Sequence, residues 1–352
     1  MTTSVFLPTK STAIVLTALA VSAALTGPSL ADPVPTAGYT VTLFARGVAG
    51  VYVAPDSLTT DGSFVYAGYQ NSAAADGSSG NSVVVKYSLT GAALRQFPVN
   101  GKCDGLRIDP STGLLWALSN EDANPRLTII DPRTGQEQRS YEPLPTETPF
   151  AGGYDDLAFT PSGAFISASN PALDRDGVNT YRAIGLIRLV DDSAVITPVL
   201  QGDAMATDRT SGERVRLNLT DPDSLSVDPN TGDVVLDDQG DSQIIFVHNA
   251  GSDAHEVSRL LLQPASPAAP VVDEVTWTTS ASGHFLVADH GNPGAIWVVH
   301  KTPGFTPAQA YVTVGNDSRT FTSSLGTLDT TSGLITPVVT NFSSPKGLIF
   351  VE

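Results

Sequence analysis

The sequence predicts an all-β protein, a six-bladed β-propeller of four-stranded antiparallel blades, and three observations predict it. A short phrase returns six times: Pro55-Asp56-Ser57-Leu58, Cys103-Asp104-Gly105-Leu106, Asp155-Asp156-Leu157, Pro222-Asp223-Ser224-Leu225, Asp273-Glu274-Val275 and Pro345-Lys346-Gly347-Leu348. Behind most copies comes a turn signal and a second apolar run, as in Asp109-Pro110-Ser111-Thr112-Gly113 before Leu114-Leu115-Trp116-Ala117. The apolar runs themselves, such as Val83-Val84-Val85, Ile244-Ile245-Phe246-Val247 and Ile296-Trp297-Val298-Val299, are β-branched or aromatic and nearly continuous. Runs of that kind suit strands buried on both faces, and helical periodicity is hard to find. Self-similarity at roughly fifty residues, built only of strands, marks a propeller.

Taken in order, the chain opens on Lys10, an apolar run from Ala13 to Leu25 and a small-residue site at Ser29-Leu30-Ala31. Residues 1–31 therefore read as a cleaved secretory signal peptide, too short for a comfortable span, and residues 32–352 as one propeller domain. A secreted or periplasmic location is expected. Tyr39 to Phe44 looks like an outer strand with no blade of its own. The second repeat shows four runs, Gly105 to Ile108, Leu114 to Leu118, Leu127 to Ile130 and Gln138 to Glu142, separated by turn residues. Five units read as whole blades, and the sixth is pieced together from Ala310 to Val314, Leu325 to Leu328, Ile335 to Val339 and Gly347 to Val351. Joining both termini in one composite blade would remove open edges. Seven blades is the alternative count. Two connections run long, Asn170 to Tyr181 and Gln201 to Asp221, and both should open on the face where first strands begin.

A formal net charge of −17 argues against nucleic acid and anionic membrane surfaces, which need a basic face. Cationic and neutral guests are easier, and a monomer is expected. Cys103 is the only cysteine, so no intramolecular disulfide forms, and its thiol should be a buried, inert core group.

From Cys103-Asp104-Gly105-Leu106-Arg107-Ile108-Asp109-Pro110 through Gly113-Leu114-Leu115-Trp116-Ala117, the chain resembles the repeat phrase of gluconolactonase-like and NHL-repeat propellers. The resemblance implies a divalent cation, usually calcium, held on the propeller axis by a glutamate, asparagines and an aspartate. The aspartate is matched here by Asp104 or Asp223. The family's first-blade glutamate, in an "EGP" phrase, has no match, and Pro55-Asp56-Ser57 is its nearest counterpart.

If first strands begin on one face, Asp56, Asp104, Asp156, Asp223 and Asp273 or Glu274 ring the axis there, with Asn71, Asn120, Asn170, Asp238, Asp289 and His290 as an outer tier. Two ionised carboxylates about 6 Å apart repel by roughly 3 kcal/mol at an effective dielectric near 20. The ring must therefore be splayed, tied to backbone amides, protonated, or neutralised by a cation. Oxygen donors of this kind favour calcium, with Asp56, Asp104, Asp156, Asp223 and Glu274 as ligands. The plainer reading is that each aspartate serves the repeat, accepting local N–H groups as Asp does at turns. Lys346, standing where the other copies have an acid, is a counter-ion or a catalytic electrophile. His290 is a general base oriented by Asp289, or a surface histidine in a turn. Asn120, Asn170, Arg209 and Arg214 are candidate substrate contacts, the arginines closing over the acidic face. Two functions follow: a calcium-dependent lactonase or esterase-like hydrolase, or a non-catalytic exported propeller holding a small molecule, protein, peptide or glycan on the loop-rich face.

Overall fold

The computed structural model describes residues 32–146, 152–263, 269–315 and 322–352. The expected signal peptide, residues 1–31, lies outside the described residues. Everything described is strand, turn or loop, and no helix among these residues is long and apolar enough to cross a membrane. Six antiparallel blades make the ring, and the seven-blade alternative falls.

Blades one to three are sequential four-strand units: Pro55–Thr60 to Ala93–Asn100, Cys103–Ile108 to Gln136–Tyr141, and Tyr154–Thr160 to Ser193–Gln201. Blade four runs from Pro222–Val227 to Glu256–Leu261. Inner strands touch in order around the ring, and the last, Pro345–Val351, touches the first.

The continuous apolar runs follow from this stacking. Successive side chains of a strand face opposite neighbours, so Val84 packs toward blade two while Val85 packs toward blade six. Ile244 and Ile245 divide in the same way between blades five and three. Six buried clusters result, one at each blade interface. Cys103 is fully buried in the cluster between blades one and two, and burial pushes its thiol well above the usual range, as expected of an inert core residue.

The last two blades depart from the sequence reading. Val272–Trp277 does not pair with the run that follows it; its partner is Ala310–Val314, and Ser324–Leu328, Ile335–Thr340 and Val34–Pro35 complete that fifth blade. His284–Asp289 and Ala295–Lys301 instead join blade six, between the C-terminal inner strand Pro345–Val351 and the N-terminal outer strand Tyr39–Arg46. The chain thus crosses from blade five to blade six and back. Closure is held by ladder hydrogen bonds from both termini rather than by side-chain packing alone, and across the crossing Phe285 meets Phe305 and Phe350 edge to face and Tyr311 at a tilt. Tyr39 to Phe44 takes the outer place expected of it.

The recurring phrase has a geometric purpose. In every blade the inner strand carries one extra residue there, between Pro55 and Leu58, Cys103 and Leu106, Tyr154 and Leu157, Pro222 and Leu225, Val272 and Glu274, and Pro345 and Leu348. A bulge of this kind bends the strand and re-aims a side chain. The glycine copies add close approach: a Cβ on Gly105 would stand 2.6 Å from the Asp155 carbonyl oxygen, and one on Gly347 would stand 2.4 Å from that of Asp56.

The two long connections meet each other. The Asn179 amide donates to Asn218 Oδ1 at 2.9 Å and its side-chain nitrogen to the Leu219 carbonyl at 2.7 Å. The second connection then folds into a hairpin, Met205–Asp208 with Arg214–Arg216, laid parallel to the outer strand of blade four. It covers a sheet edge.

Candidate functional site at the mouth of the ring

The six bulges place six side chains around one opening: Asp56, Asp104, Asp155, Asp223, Asp273 and Lys346 in blade order. Four of the five acids, together with Lys346, line a polar cavity of about 390 Å³; Asp273 is buried beside it, its Oδ1 2.5 Å from Lys346 Nζ. In blade three the expected ring member Asp156 is replaced by Asp155, which lines the cavity, and in blade five the choice left open falls on Asp273. Leucine or valine closes each phrase two residues after the ring position, so Asp155 and Asp273 are the ring members, whereas Asp156 and Glu274 stand one step deeper.

Most ring acids receive a group from the end of the preceding blade's second strand. Gln70 donates to Asp104 Oδ1 at 2.8 Å, Gln239 donates to Asp273 Oδ1 at 3.2 Å, and His290 Nδ1 lies 3.7 Å from Asp56 Oδ1. At blade three the corresponding group is another acid, Glu121, in hydrogen-bond contact with Asp155. Lys102 bridges Asp104, at 2.9 Å, and Glu121. Lys346 stands among Asp273, Asp56 and Asp223.

The electrostatics divide the ring. Burial pushes Asp56 up, but His290 and Lys346 outweigh it and hold the carboxyl below its ordinary value. Burial lifts Asp104 well above the usual range; the charge of Glu121 adds to this and Lys102 only partly offsets it. Asp155 is lifted by burial, then by Asp223 and Glu121. Asp223 is lifted by burial and by Asp273, with Lys346 opposing. Behind the wall, Asp237 of blade four is 2% exposed, its Oδ2 has no hydrogen-bond partner, and burial with four neighbouring acids drives it strongly toward the protonated form.

Below the ring, Arg107 crosses the axis from blade two. Its guanidinium pairs with Asp156 of blade three, donates to the Leu225 carbonyl of blade four at 3.0 Å and reaches both carboxylate oxygens of Glu274 of blade five at 3.3 Å. Asp156 Oδ2 also accepts the Leu225 amide at 3.1 Å. Asp156 and Glu274 are therefore the anionic half of a buried ion cluster that closes the floor, not cation ligands at the mouth. Arg107 escaped the sequence reading although a signal was present: it is the only charged residue among Thr59, Arg107, Ala158, Ser226, Thr276 and Ile349, which follow the apolar residue of each phrase.

The outer tier proves structural in four blades. Asn71 Oδ1 accepts the Val53 amide at 2.8 Å, Asn120 Oδ1 the Lys102 amide at 3.1 Å, Asp238 Oδ1 the Asp221 amide at 3.0 Å, and Asp289 Oδ1 the Ser344 amide at 2.8 Å. Each ties the end of a second strand to the segment entering the first. Asparagine recurs because Asn71, Asn120 and Asn170 all adopt positive φ, which its short polar side chain tolerates. Asn120 is thus a clamp, and it does not line the cavity at the mouth. Asp289, which also accepts the Trp297 indole N–H at 3.3 Å, does not orient His290; Asp56 faces that ring instead. Asn170 does line the cavity. Arg209 and Arg214 do not close over the acidic face: Arg209 lies 4.1 Å from the centre of the Phe246 ring and donates to the Thr330 carbonyl, and Arg214 sits on the edge hairpin.

Lysines already stand against carboxylates expected to hold calcium: Lys102 pairs with Asp104, and Lys346 stands among Asp56, Asp223 and Asp273. No group of three or more His, Cys, Asp or Glu side chains among the described residues is arranged to hold a metal ion. Arg107 supplies the positive charge for Asp156 and Glu274 below the ring. Adding calcium or a chelator should leave the melting temperature unchanged. A cation at a hundred times its dissociation constant would stabilise by about 2.7 kcal/mol, a shift easily read in a thermal melt.

No protein-family model matches the chain, and no curated protein matches it. Among solved structures it is similar to a periplasmic gluconolactonase of Pseudomonas aeruginosa, at 14% identity over 85% of this chain and 88% of that one, with a TM-score of 0.47. A protein from Lactobacillus plantarum is similar at 14% identity over 87% and 90% of the two chains, with a TM-score of 0.46. Hydrazine synthase of Kuenenia stuttgartiensis is similar at 12% identity over 80% of this chain and 68% of that one, with a TM-score of 0.38.

Proposed function

We propose that the protein is an exported propeller that takes a small polar ligand into the acidic mouth of its ring. The observation that carries this reading is the cavity of about 390 Å³, in which ring groups from five blades converge above the floor closed by Arg107. Its volume falls in the range of small-molecule sites, and its lining is polar enough to exclude an apolar guest. Export rests on the N-terminal apolar run and its small-residue site.

A hydrolytic reading has one observation in its favour: His290 beside Asp56, with Lys346 acting on the same carboxylate, is a group able to move a proton at the edge of the cavity. In that reading a water deprotonated by His290 attacks an ester or lactone carbonyl, Lys346 stabilises the oxyanion, and collapse of the intermediate breaks the C–O bond to the alkoxide, which takes the proton back from His290.

A thermal-shift screen of monosaccharides, aldonolactones, amino acids and amines tests binding, run on the wild type and on Gln239→Trp, which fills the mouth from blade four. At least one compound should stabilise the wild type, and its shift should be lost in a variant that remains folded. Stabilisation surviving in Gln239→Trp, or no stabilisation by any class, would remove the reading. Hydrolysis of the bound ester or lactone, lost in His290→Ala, would decide for the enzyme.

A further inference from the structure

Three of the chain's histidines have a polar protein group facing a ring nitrogen. His248 Nδ1 stands 2.7 Å from Asp233, His255 Nδ1 stands 3.0 Å from the Ser252 carbonyl oxygen, and His290 faces Asp56. The other two, His284 and His300, have no such group among the described residues. Each has the other ring instead, with centres 5.2 Å apart and planes tilted by 45°.

The ladder of blade six places this pair. Phe285 stands opposite Val299, so one step further His284 stands opposite His300, and the row continues to Val351 on one side and Thr40 on the other. Strand alternation puts both imidazoles on the face of Leu286 and Ile296, which packs against blade one. His284 is half-buried and His300 exposed, so the rings sit at the rim of that interface, at the end of His284–Asp289 remote from the mouth.

The same row of blade four holds Asp233 opposite His248, one step beyond Val234 and Val247. A histidine opposite an acid completes itself. Two facing histidines do not, because protonated rings repel across the ladder and neutral rings each keep an unserved acceptor nitrogen. Burial, and after it the neighbouring His300, push His284 below the ordinary histidine value, which keeps its lone pair available at pH 7. Neutral imidazoles are ordinary ligands of copper, nickel and zinc. Two of them sharing one ion, at about 2.0–2.1 Å from each nitrogen, put their ring centres about 5 Å apart, in agreement with the separation here.

We infer that His284 and His300 form a two-imidazole chelate for a divalent transition-metal ion, copper(II), nickel(II) or zinc, which ties together two neighbouring strands of the blade that closes the ring. Water completes the coordination. A chelate with only two protein ligands exchanges its ion with the buffer, so protein purified without added metal begins empty. The site is independent of whatever occupies the mouth, and the fully buried Cys103 thiol cannot compete for the ion.

Isothermal titration of the full mature chain with copper(II), nickel(II) and zinc tests the site, with magnesium as the oxygen-preferring control. At least one transition ion should bind 1:1 and magnesium should not. His284→Gln and His300→Gln should each weaken that ion at least ~10-fold, a loss already typical of removing an outer-shell partner of a metal ligand. His255→Gln should leave it unchanged. Electron paramagnetic resonance of the copper form should show two coordinated nitrogens in the wild type and one in His300→Gln. His300 is exposed, so its variant decides the outcome if His284→Gln does not fold. No transition ion bound by the wild type, magnesium bound as tightly, affinity unchanged in His300→Gln, or an equal loss in His255→Gln would each overturn the inference.

Discussion

Replacing Arg107 with methionine is expected to destabilise the folded protein by about 3–5 kcal/mol, because it strips two buried acids of their common partner. Asp156 and Glu274 have only 4% and 6% of their side chains exposed, and Arg107 supplies the ion pairs to both. Methionine preserves much of the volume, so the loss is electrostatic rather than a cavity. The variant can escape only by protonating the acids, and its deficit should therefore shrink as the pH falls toward 4. Adding Asp156→Asn and Glu274→Gln removes the stranded charges and should return most of the loss, since replacing a whole buried ion cluster is often close to neutral. Urea denaturation at pH 7 and pH 5 measures both effects. A loss below about 1 kcal/mol at pH 7 is the size expected of a surface pair and would show that the floor is not an ion cluster.

The second large effect is a stability that falls as pH rises through the neutral range, opposite to the usual behaviour of paired acids. Asp104, Asp155, Asp223 and Asp237 are each held well above the ordinary carboxylate range, first by burial and then by a neighbouring acid. Burial also lifts Asp238, to about 7. For an acid whose folded value exceeds its unfolded one, the folded state holds the extra proton. Its stability contribution is complete below the unfolded value, near pH 4, and is lost as the pH climbs through the folded value. Asp56 has the opposite sign, as do the turn aspartates Asp131 and Asp329, each drawn down to about 2, but those groups act only below pH 4. Lys102 and Lys346 are raised and act only in the alkaline range. Thermal melts from pH 4.5 to pH 8 should show a steadily falling midpoint, and Asp155→Asn should flatten the slope. A midpoint that rises over that window would mean that the mouth acids are ionised and already compensated.

Much of the fold could be read from the chain because its causes are local and repeated. The phrase at Asp56, Asp104 and Asp223 carries the bulge, and turns such as Asp109-Pro110-Ser111-Thr112-Gly113 are self-contained. The convergence of the acids on one mouth was legible for the same reason: every blade repeats the same offset. The pairing partners of Val272–Trp277 and His284–Asp289 were not, because both candidates for each strand have the same apolar pattern and only ring closure chooses between them. Asp289 beside His290 looked like a dyad because the two are adjacent in sequence, yet at a strand end adjacent side chains diverge, one to the Ser344 amide and one toward Asp56.

From its sequence alone this protein is an acidic ring of six strand units whose first strands carry charged side chains to a common opening. Periodicity and turn chemistry are properties of neighbouring residues, and they need no partner to be expressed. Only the tertiary structure decided which acids remain at the mouth and which descend to Arg107. It also decided that lysines pair with Asp104 and Asp273, and that Asp155 faces other carboxyls. Those outcomes depend on charges brought together from different blades, and a Coulomb interaction acts over distance in space whatever the separation along the chain.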